Sequence, residues 1–222
     1  MTNREVGRTA IDTVHDEPDR EVTIRRAKTT DALCVALLGT QVFLDTYATE
    51  GIRPSLAREA HETLSPRVME ALLAEPSSTI LVAETNRHLV AFAHVSAQVE
   101  HELVPFASPA ELKRLYVQER FTGRGLGKAL LRRAEEVACV YGAAGMWLAA
   151  WSGNARALRF YASQGYAELG ATPFTVQGEH YENKVFAKYL QAEPTRDLPP
   201  FDLLTPVGAS FRSEAEPVLV RR

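Results

Sequence analysis

Hydrophobic and polar positions change period several times along this chain, and each change marks an element. Residues 22–27 (VTIRRA) alternate like an edge strand, and Thr30 and Asp31 offer a helix cap before ALCVALLGTQVFLDTY, where Leu33, Leu37, Val42, Phe43 and Tyr47 recur at helical spacing. Pro54 and Pro66 open two shorter helical stretches, SLAREAHETL and PRVMEALLAE, at a position where proline is tolerated, and Pro76 closes the second. Residues 79–84 (TILVAE) and 89–97 (LVAFAHVSA) flank a short polar turn and predict a hairpin in the centre of a sheet. Residues 98–109 read as a loop, 111–117 as a strand, and a long amphipathic pattern runs to Tyr141 with glycines 142 and 145 as its stop. A short apolar strand over 146–150, a helix over 154–164 capped by Gly165, and strands near 167–172 and 182–190 complete the pattern.

The strand at 111–117 enters the long helix through Thr122, Gly123, Arg124, Gly125, Leu126, Gly127 and Lys128. Alternating glycines let the backbone curl with no Cβ in the way, so that its N–H groups converge on one point. The helix start adds its partial positive charge there, and a diphosphate fits such a cradle. A P-loop needs a glycine where Thr122 stands and a Ser or Thr where Ala129 stands, and a dinucleotide fingerprint needs a glycine where Lys128 stands. Both patterns fail, which argues against a nucleotide-binding switch. The glycines alone also suit an ordinary turn that caps a helix.

Composition narrows the class of protein. With 222 residues, 45% of them hydrophobic, the chain builds one core of more than minimal size. A formal net charge of -3, from 25 basic and 28 acidic residues, gives no footprint for nucleic acid. Cys34 and Cys139 each fall within a helical pattern, and the expectation is two buried thiols rather than a disulfide or metal site; no metal is expected. No run reaches the about 20 apolar residues of a membrane span and the N-terminal stretch lacks an apolar signal core, so no membrane partner and a cytoplasmic location are expected. Residues 1–20 read as a flexible arm and 21–190 as the folded domain. The proline-rich tail over 191–222 is either disordered or docked through Phe201, Leu203, Leu204 and Phe211.

The stretch T-G-R-G-L-G after a strand-like LYV is similar to the Q/R-x-x-G-x-G/A acetyl-CoA motif of the GNAT N-acetyltransferase superfamily. Downstream, WLAAWSGNARALRFYASQGYAELG resembles the same family's short strand followed by N-x-x-A-x-x-F-Y-x-x-x-G-F/Y, with Asn154, Ala157, Phe160, Tyr161, Gly165 and Tyr166 in those places. More narrowly, L-x-R-L-Y-V, the tryptophan pair of WLAAW and the strand VFAKYL look like bacterial polyamine-type members. The resemblance implies an α/β (α+β) GNAT fold, a mixed and mostly antiparallel sheet with helices on both faces. It also implies acetyl-CoA as cosubstrate, a small-molecule amine acceptor and a possible homodimer. Thr122 departs from the Gln or Arg that usually opens the motif.

The family's chemistry maps onto particular residues. Backbone groups from Thr122 to Lys128 would hold the pyrophosphate, with Arg124 and Lys128 either at its rim or simply solvated. Main-chain groups of Tyr116 and Val117 would pair with the pantetheine arm as a further strand would. Asn154 is either a cofactor contact or a plain N-cap. Tyr161 is the candidate acid for the leaving thiolate, although an F-Y pair on a helix also serves core packing. Glu111 is the candidate base, against a solvated strand-end carboxylate, and His94 is a second candidate, against a satisfied core histidine. Phe43, Asp45, Tyr47, Trp151 and His180 are acceptor-groove candidates by position. The acceptor could be a polyamine, another small amine, an aminoglycoside-like antibiotic or a protein N-terminus. A catalytically idle acyl-CoA-binding module is the rival from another class.

Overall fold

Seven strands, β1 (Thr23–Arg26), β2 (Ser78–Thr85), β3 (His88–Ser96), β4 (Ala110–Val117), β5 (Gly145–Trp151), β6 (Ala167–Val176) and β7 (Glu179–Tyr189), pair in the order β1-β2-β3-β4-β5-β7-β6. Every neighbouring pair is antiparallel except β4 with β5. This is a computed structural model, and it describes residues 22–190 apart from Gln177. The expected arm over 1–20 and tail over 191–222 lie outside the described residues. Five α-helices cover the sheet: α1 (Ala32–Tyr47), α2 (Pro54–Leu64), α3 (Pro66–Ala74), α4 (Leu126–Val140) and α5 (Ala155–Ser163). The mixed, mostly antiparallel architecture with helices on both faces is the one expected from the sequence.

Each face of the sheet has its own core. Leu115, Leu130, Leu131, Leu148, Tyr161 and Phe186 gather where α4 and α5 pack. On the other face Val35, Leu64, Met69, Ile80, Phe92 and Tyr116 form the core under α1, α2 and α3. A smaller cluster around Trp147 and Val185 continues that face beneath the 97–109 loop, where the Trp147 indole donates to the Val99 carbonyl at 2.7 Å. A bulge decides which β4 side chains go where: Val95 faces Leu112 and His94 faces Arg114, so Lys113 is the extra residue. Leu112 and Leu115 thereby both reach the α4 face, while Glu111, Arg114 and Tyr116 turn to the opposite one.

Three sequence expectations need correction. In α1 the buried stripe is Ala32, Val35, Ala36, Gly39, Val42 and Phe43, while Leu33 and Leu37 are 56% and 62% exposed. The helix carries two apolar stripes, and the one with small residues approaches the sheet: a Cβ at Gly39 would lie 3.0 Å from Leu64. Cys34 shares the outer side and is exposed, and Cys139 is only half-buried, so they are not two buried thiols. The last two strands also run on well past the expected 167–172 and 182–190, with β7 inserted between β5 and β6. Their extended ends add Phe174 and Tyr181 to the site described next.

Candidate active site

Between β4 and β5 the sheet opens. Their parallel pairing consists of Ala110 opposite Met146 and Glu111 opposite Trp147, and it stops there although the strands continue to Val117 and Trp151. Beyond that apex the inner edge of β4 faces a gap and can template an extended ligand. Past the end of β4, a 3-10 turn (Glu119–Phe121) leads to Gly123 at φ +75° and Gly125 at φ +78°, and α4 begins at Leu126. Both glycines hold left-handed backbone that other residues adopt at a cost, and a Cβ at either would meet nothing within 4 Å. The first N–H groups of α4 have no acceptor within the helix, so this turn favours an anion. Arg124 and Lys128 are exposed beside it, the Arg124 guanidinium 6.0 Å from the centre of the Phe121 ring. The Thr122 hydroxyl donates to the Glu119 carbonyl at 2.9 Å, so its side chain serves the turn.

On the same face of the sheet as α4, α5 starts where the Asn154 side-chain oxygen accepts the Ala157 N–H at 3.0 Å. That oxygen is therefore an N-cap. Tyr161, two turns on, is 0% exposed and sits among Phe160, Tyr166 and Phe186 with ring centres 5.2, 5.9 and 6.4 Å away. Its hydroxyl has no hydrogen-bond partner among the described residues. Burial lifts its pKa well above the ordinary phenol value, and the Tyr116 phenol adds to the shift electrostatically. Tyr161 is thus a protonated donor at neutral pH with one hydrogen bond unmade.

Across the sheet, the C-terminal half of α1 faces the ends of β5, β6 and β7. Phe43, Tyr47, Leu56, Trp151, Phe174 and Tyr181 line about 290 Å³ of space that is partly open to solvent, with Asn183 in its wall. The rings are in mutual contact: Phe43 to Tyr47 is 4.8 Å, Tyr47 to Trp151 5.6 Å, and Trp151 to Tyr181 6.3 Å edge to face. Gly153 lies against the indole so closely that a Cβ there would come within 2.5 Å of Trp151. The Tyr47 hydroxyl and both polar atoms of the Asn183 amide are buried and have no hydrogen-bond partner among the described residues. Burial lifts the Tyr47 pKa well above the ordinary phenol value, with the Tyr116 phenol adding to the shift. Next to this pocket a larger vestibule of about 800 Å³ is lined by Glu50, Arg53, Glu179 and His180 among others. There Glu179 pairs with Arg53 and accepts the hydroxyls of Tyr181 at 2.7 Å and Ser55 at 3.2 Å.

A buried polar cluster sits near the apex. Glu111, fully enclosed rather than a solvated strand end, pairs with Lys113 at 2.7 Å. His94 contacts Ser78 at 2.9 Å and Arg114 at 3.3 Å, and Arg114 donates to the Thr63 carbonyl. Desolvation, reinforced by Arg114 and Lys113, holds the His94 pKa well below the usual imidazole range. His94 is therefore a neutral, hydrogen-bonded core histidine.

The profile of the Acetyltransferase (GNAT) family matches residues 46–166, more than half of the chain. The protein belongs to the GNAT family. An uncharacterized N-acetyltransferase of Lactobacillus delbrueckii subsp. lactis is 23% identical over 150 residues, 68% of this chain and 87% of that protein. An uncharacterized N-acetyltransferase of Mycobacterium bovis is 31% identical over 111 residues, 50% of this chain and 66% of that one. Among solved structures, the PaiA N-acetyltransferase of Thermoplasma acidophilum in complex with coenzyme A superposes with a TM-score of 0.59 at 20% identity, covering 76% of this chain and 99% of that one. A putative acetyltransferase of Salmonella typhimurium with acetyl-CoA gives 0.54 at 21% identity, over 79% and 98%. At these identities the superpositions speak to the fold alone.

Within this GNAT chain the predicted residues separate into groups. Thr122 to Lys128 form one turn at the mouth of the opening, with Tyr116 and Val117 at the end of the strand before it. Phe43, Tyr47 and Trp151 line one pocket, and His180 its vestibule. Asp45 is not with them: it is exposed on α1 and lines neither space. Sequence reasoning missed Leu56, Phe174, Tyr181 and Asn183. The alternation of Tyr181, Asn183, Val185 and Ala187 on one face of β7 was the available signal for the last two.

Proposed function

We propose that this GNAT enzyme, through its domain over residues 21–190, transfers acetyl from acetyl-CoA to a primary amine by direct attack in a ternary complex. The acceptor is a small amine, polyamines included at this level. The observation that carries the reading is the buried, unpartnered Tyr161 hydroxyl beside the opening between β4 and β5. A phenol with no partner in a dry core is disfavoured unless a ligand completes it.

Acetyl-CoA supplies an activated thioester. The glycine turn and the α4 N-terminus hold the diphosphate, and the β4 edge at Tyr116 and Val117 orients the chain that leads to the thioester. Donors on β4 near Val117 polarise the carbonyl. Glu111 takes the proton lost by the amine, with Lys113 balancing its charge. The neutral amine nitrogen then forms the C–N bond as the C–S bond breaks; Tyr161 protonates the departing thiolate, and the second proton shed by the nitrogen passes to solvent, which refills the Tyr161 phenolate. The reading implies a cytoplasmic enzyme with access to acetyl-CoA, and a homodimer is compatible with it.

The test is release of CoA thiol from acetyl-CoA over an amine panel, with Tyr161→Phe beside the wild type. Turnover is expected to fall about a hundredfold in the variant while acetyl-CoA still raises the melting temperature equally. Equal turnover would remove Tyr161 as the acid. Silence across the panel in a protein that acetyl-CoA stabilises would favour an idle binding module or a macromolecular acceptor.

A further inference from the structure

Asn183 is 0% exposed on β7, opposite Trp151 of β5 and Thr172 of β6, and among the described residues neither its Nδ2 nor its Oδ1 has a hydrogen-bond partner. Its neighbours around the 290 Å³ pocket are carbon-rich: Phe43, Leu56, Trp151 and Phe174, with Tyr47 adding a second unpartnered buried hydroxyl. A primary amide in such a wall is unfavourable unless a polar group meets it, and a ligand that reaches the wall can supply that group.

The chemistry of that group follows from the amide. Nδ2 donates and Oδ1 accepts, so both are satisfied by a group that accepts and donates, namely a hydroxyl or a carboxamide. An ammonium has donors only and would leave Nδ2 unmade. The charge balance points the same way. Among the described residues no carboxylate lines this pocket; Glu50 and Glu179 line the vestibule, and Glu179 is already engaged by Arg53, Tyr181 and Ser55. The rings of Tyr47, Trp151 and Tyr181, tilted and edge to face, instead offer apolar surface for a ring or a bulky hydrocarbon.

We propose that this pocket selects acceptor amines with an uncharged apolar body, above all an aromatic ring, that bears a hydroxyl or carboxamide, and that Asn183 determines this specificity. The proposal rests on the acetyltransferase reading above, deepens it, and takes a polycationic chain out of the preferred class. The amine itself points from the pocket towards Tyr116 and the β4–β5 opening, where Tyr161 and Glu111 act.

The experiment compares tyramine, phenethylamine and spermidine by CoA thiol release with the wild type, Asn183→Leu and Asn183→Asp. Binding of tyramine to each protein with CoA present is followed separately by quenching of tryptophan fluorescence. Of the two tryptophans Trp147 is wholly buried in its own cluster, so Trp151 is the reporter. Asn183→Leu exchanges an unpartnered amide for an apolar group of similar size, so the fold should survive. The wild type is expected to favour tyramine over phenethylamine by about tenfold in kcat/KM, the size of one hydrogen bond to a buried group, and over spermidine by more. In Asn183→Leu the tyramine preference collapses to within about threefold, with phenethylamine little changed. Asn183→Asp gives the pocket the carboxylate it lacks and shifts preference towards spermidine.

A wild type that uses spermidine as well as tyramine, or a tyramine preference that survives in Asn183→Leu, overturns the proposal. If no amine is turned over but tyramine quenches the wild type and not Asn183→Leu, the pocket proposal stands and the transferase reading falls. Absence of both turnover and quenching overturns the pocket proposal, and turnover of some other amine class without tyramine binding overturns it while keeping the transferase.

Discussion

Replacing Gly125 by alanine separates two roles of the glycine turn. Gly125 is the residue before α4 and holds φ +78°, ψ -3°. A side chain in that left-handed region costs about 1–2 kcal/mol. Alanine also restricts the unfolded chain, which returns about 0.4–1 kcal/mol. The net loss is about 1 kcal/mol, or about 2–4 °C in melting temperature for a chain of this size. No clash adds to it, because a Cβ at this position would have no neighbour within 4 Å. The same methyl, however, stands in open space at the α4 N-terminus, where the proposed diphosphate approaches the backbone closely.

Acetyl-CoA at 100 times its Kd should stabilise the wild type by about 2.7 kcal/mol, a rise of about 5–10 °C. A tenfold weaker complex at the same concentration gains about 1.4 kcal/mol, so the ligand-induced rise in Gly125→Ala should be roughly halved. Thermal melts of both proteins with and without acetyl-CoA measure each part. An undiminished rise would place the diphosphate elsewhere and refute the cradle. A fall of more than about 10 °C in the ligand-free variant would instead refute the claim that the space around Gly125 is open.

The buried polar cluster near the apex makes two further predictions. His94 has a folded pKa held well below its unfolded value of about 6.5, so its neutral form supports stability above about pH 6.5, and that support is lost as pH falls below it. In that window stability should fall by about 1.4 kcal/mol per pH unit more in the wild type than in His94→Gln, by chemical denaturation at pH 7, 6 and 5; parallel curves would contradict the assignment. Glu111→Gln leaves the Lys113 ammonium, itself only 11% exposed, without the carboxylate 2.7 Å away and should cost about 3 kcal/mol. If Glu111 is the base, the variant also loses about a hundredfold in kcat with the acid limb of its pH–rate profile flattened, whereas a purely structural role lowers stability and leaves that limb in place.

The glycine turn was legible because it is local. Glycines at 123, 125 and 127 between a strand and an amphipathic helix predict a curled anion-binding turn from a handful of adjacent residues, and the two positive φ angles follow from having no Cβ. Asn154 was legible as a helix start for the same reason, and its oxygen caps Ala157. The hairpin β2–β3 was readable from two apolar runs, although its tight turn uses Asn86 and Arg87 at φ 49° and 65° where glycine would have been the stronger signal. In α1, by contrast, periodicity alone could not choose between two apolar stripes. The choice was made by the close approach of Gly39 to Leu64 and Phe92, residues that are remote in sequence.

The pocket proposed to take the acceptor was partly hidden for that same reason. Phe43 and Tyr47 come from α1, Trp151 from β5, and Tyr181 and Asn183 from β7, and they meet only because β7 inserts between β5 and β6 and runs far enough to face α1. In EHYENKVFAKY the alternation of Tyr181, Asn183, Val185 and Ala187 puts Asn183 on the inward face, but what surrounds its amide is set by a register with Trp151 more than thirty residues away. What singles it out is a property no sequence pattern carries: an amide in full enclosure with both of its hydrogen-bonding ends unmet. Function is argued from such a group rather than from the fold, and the tyramine and spermidine comparison tests the acceptor chemistry proposed for it.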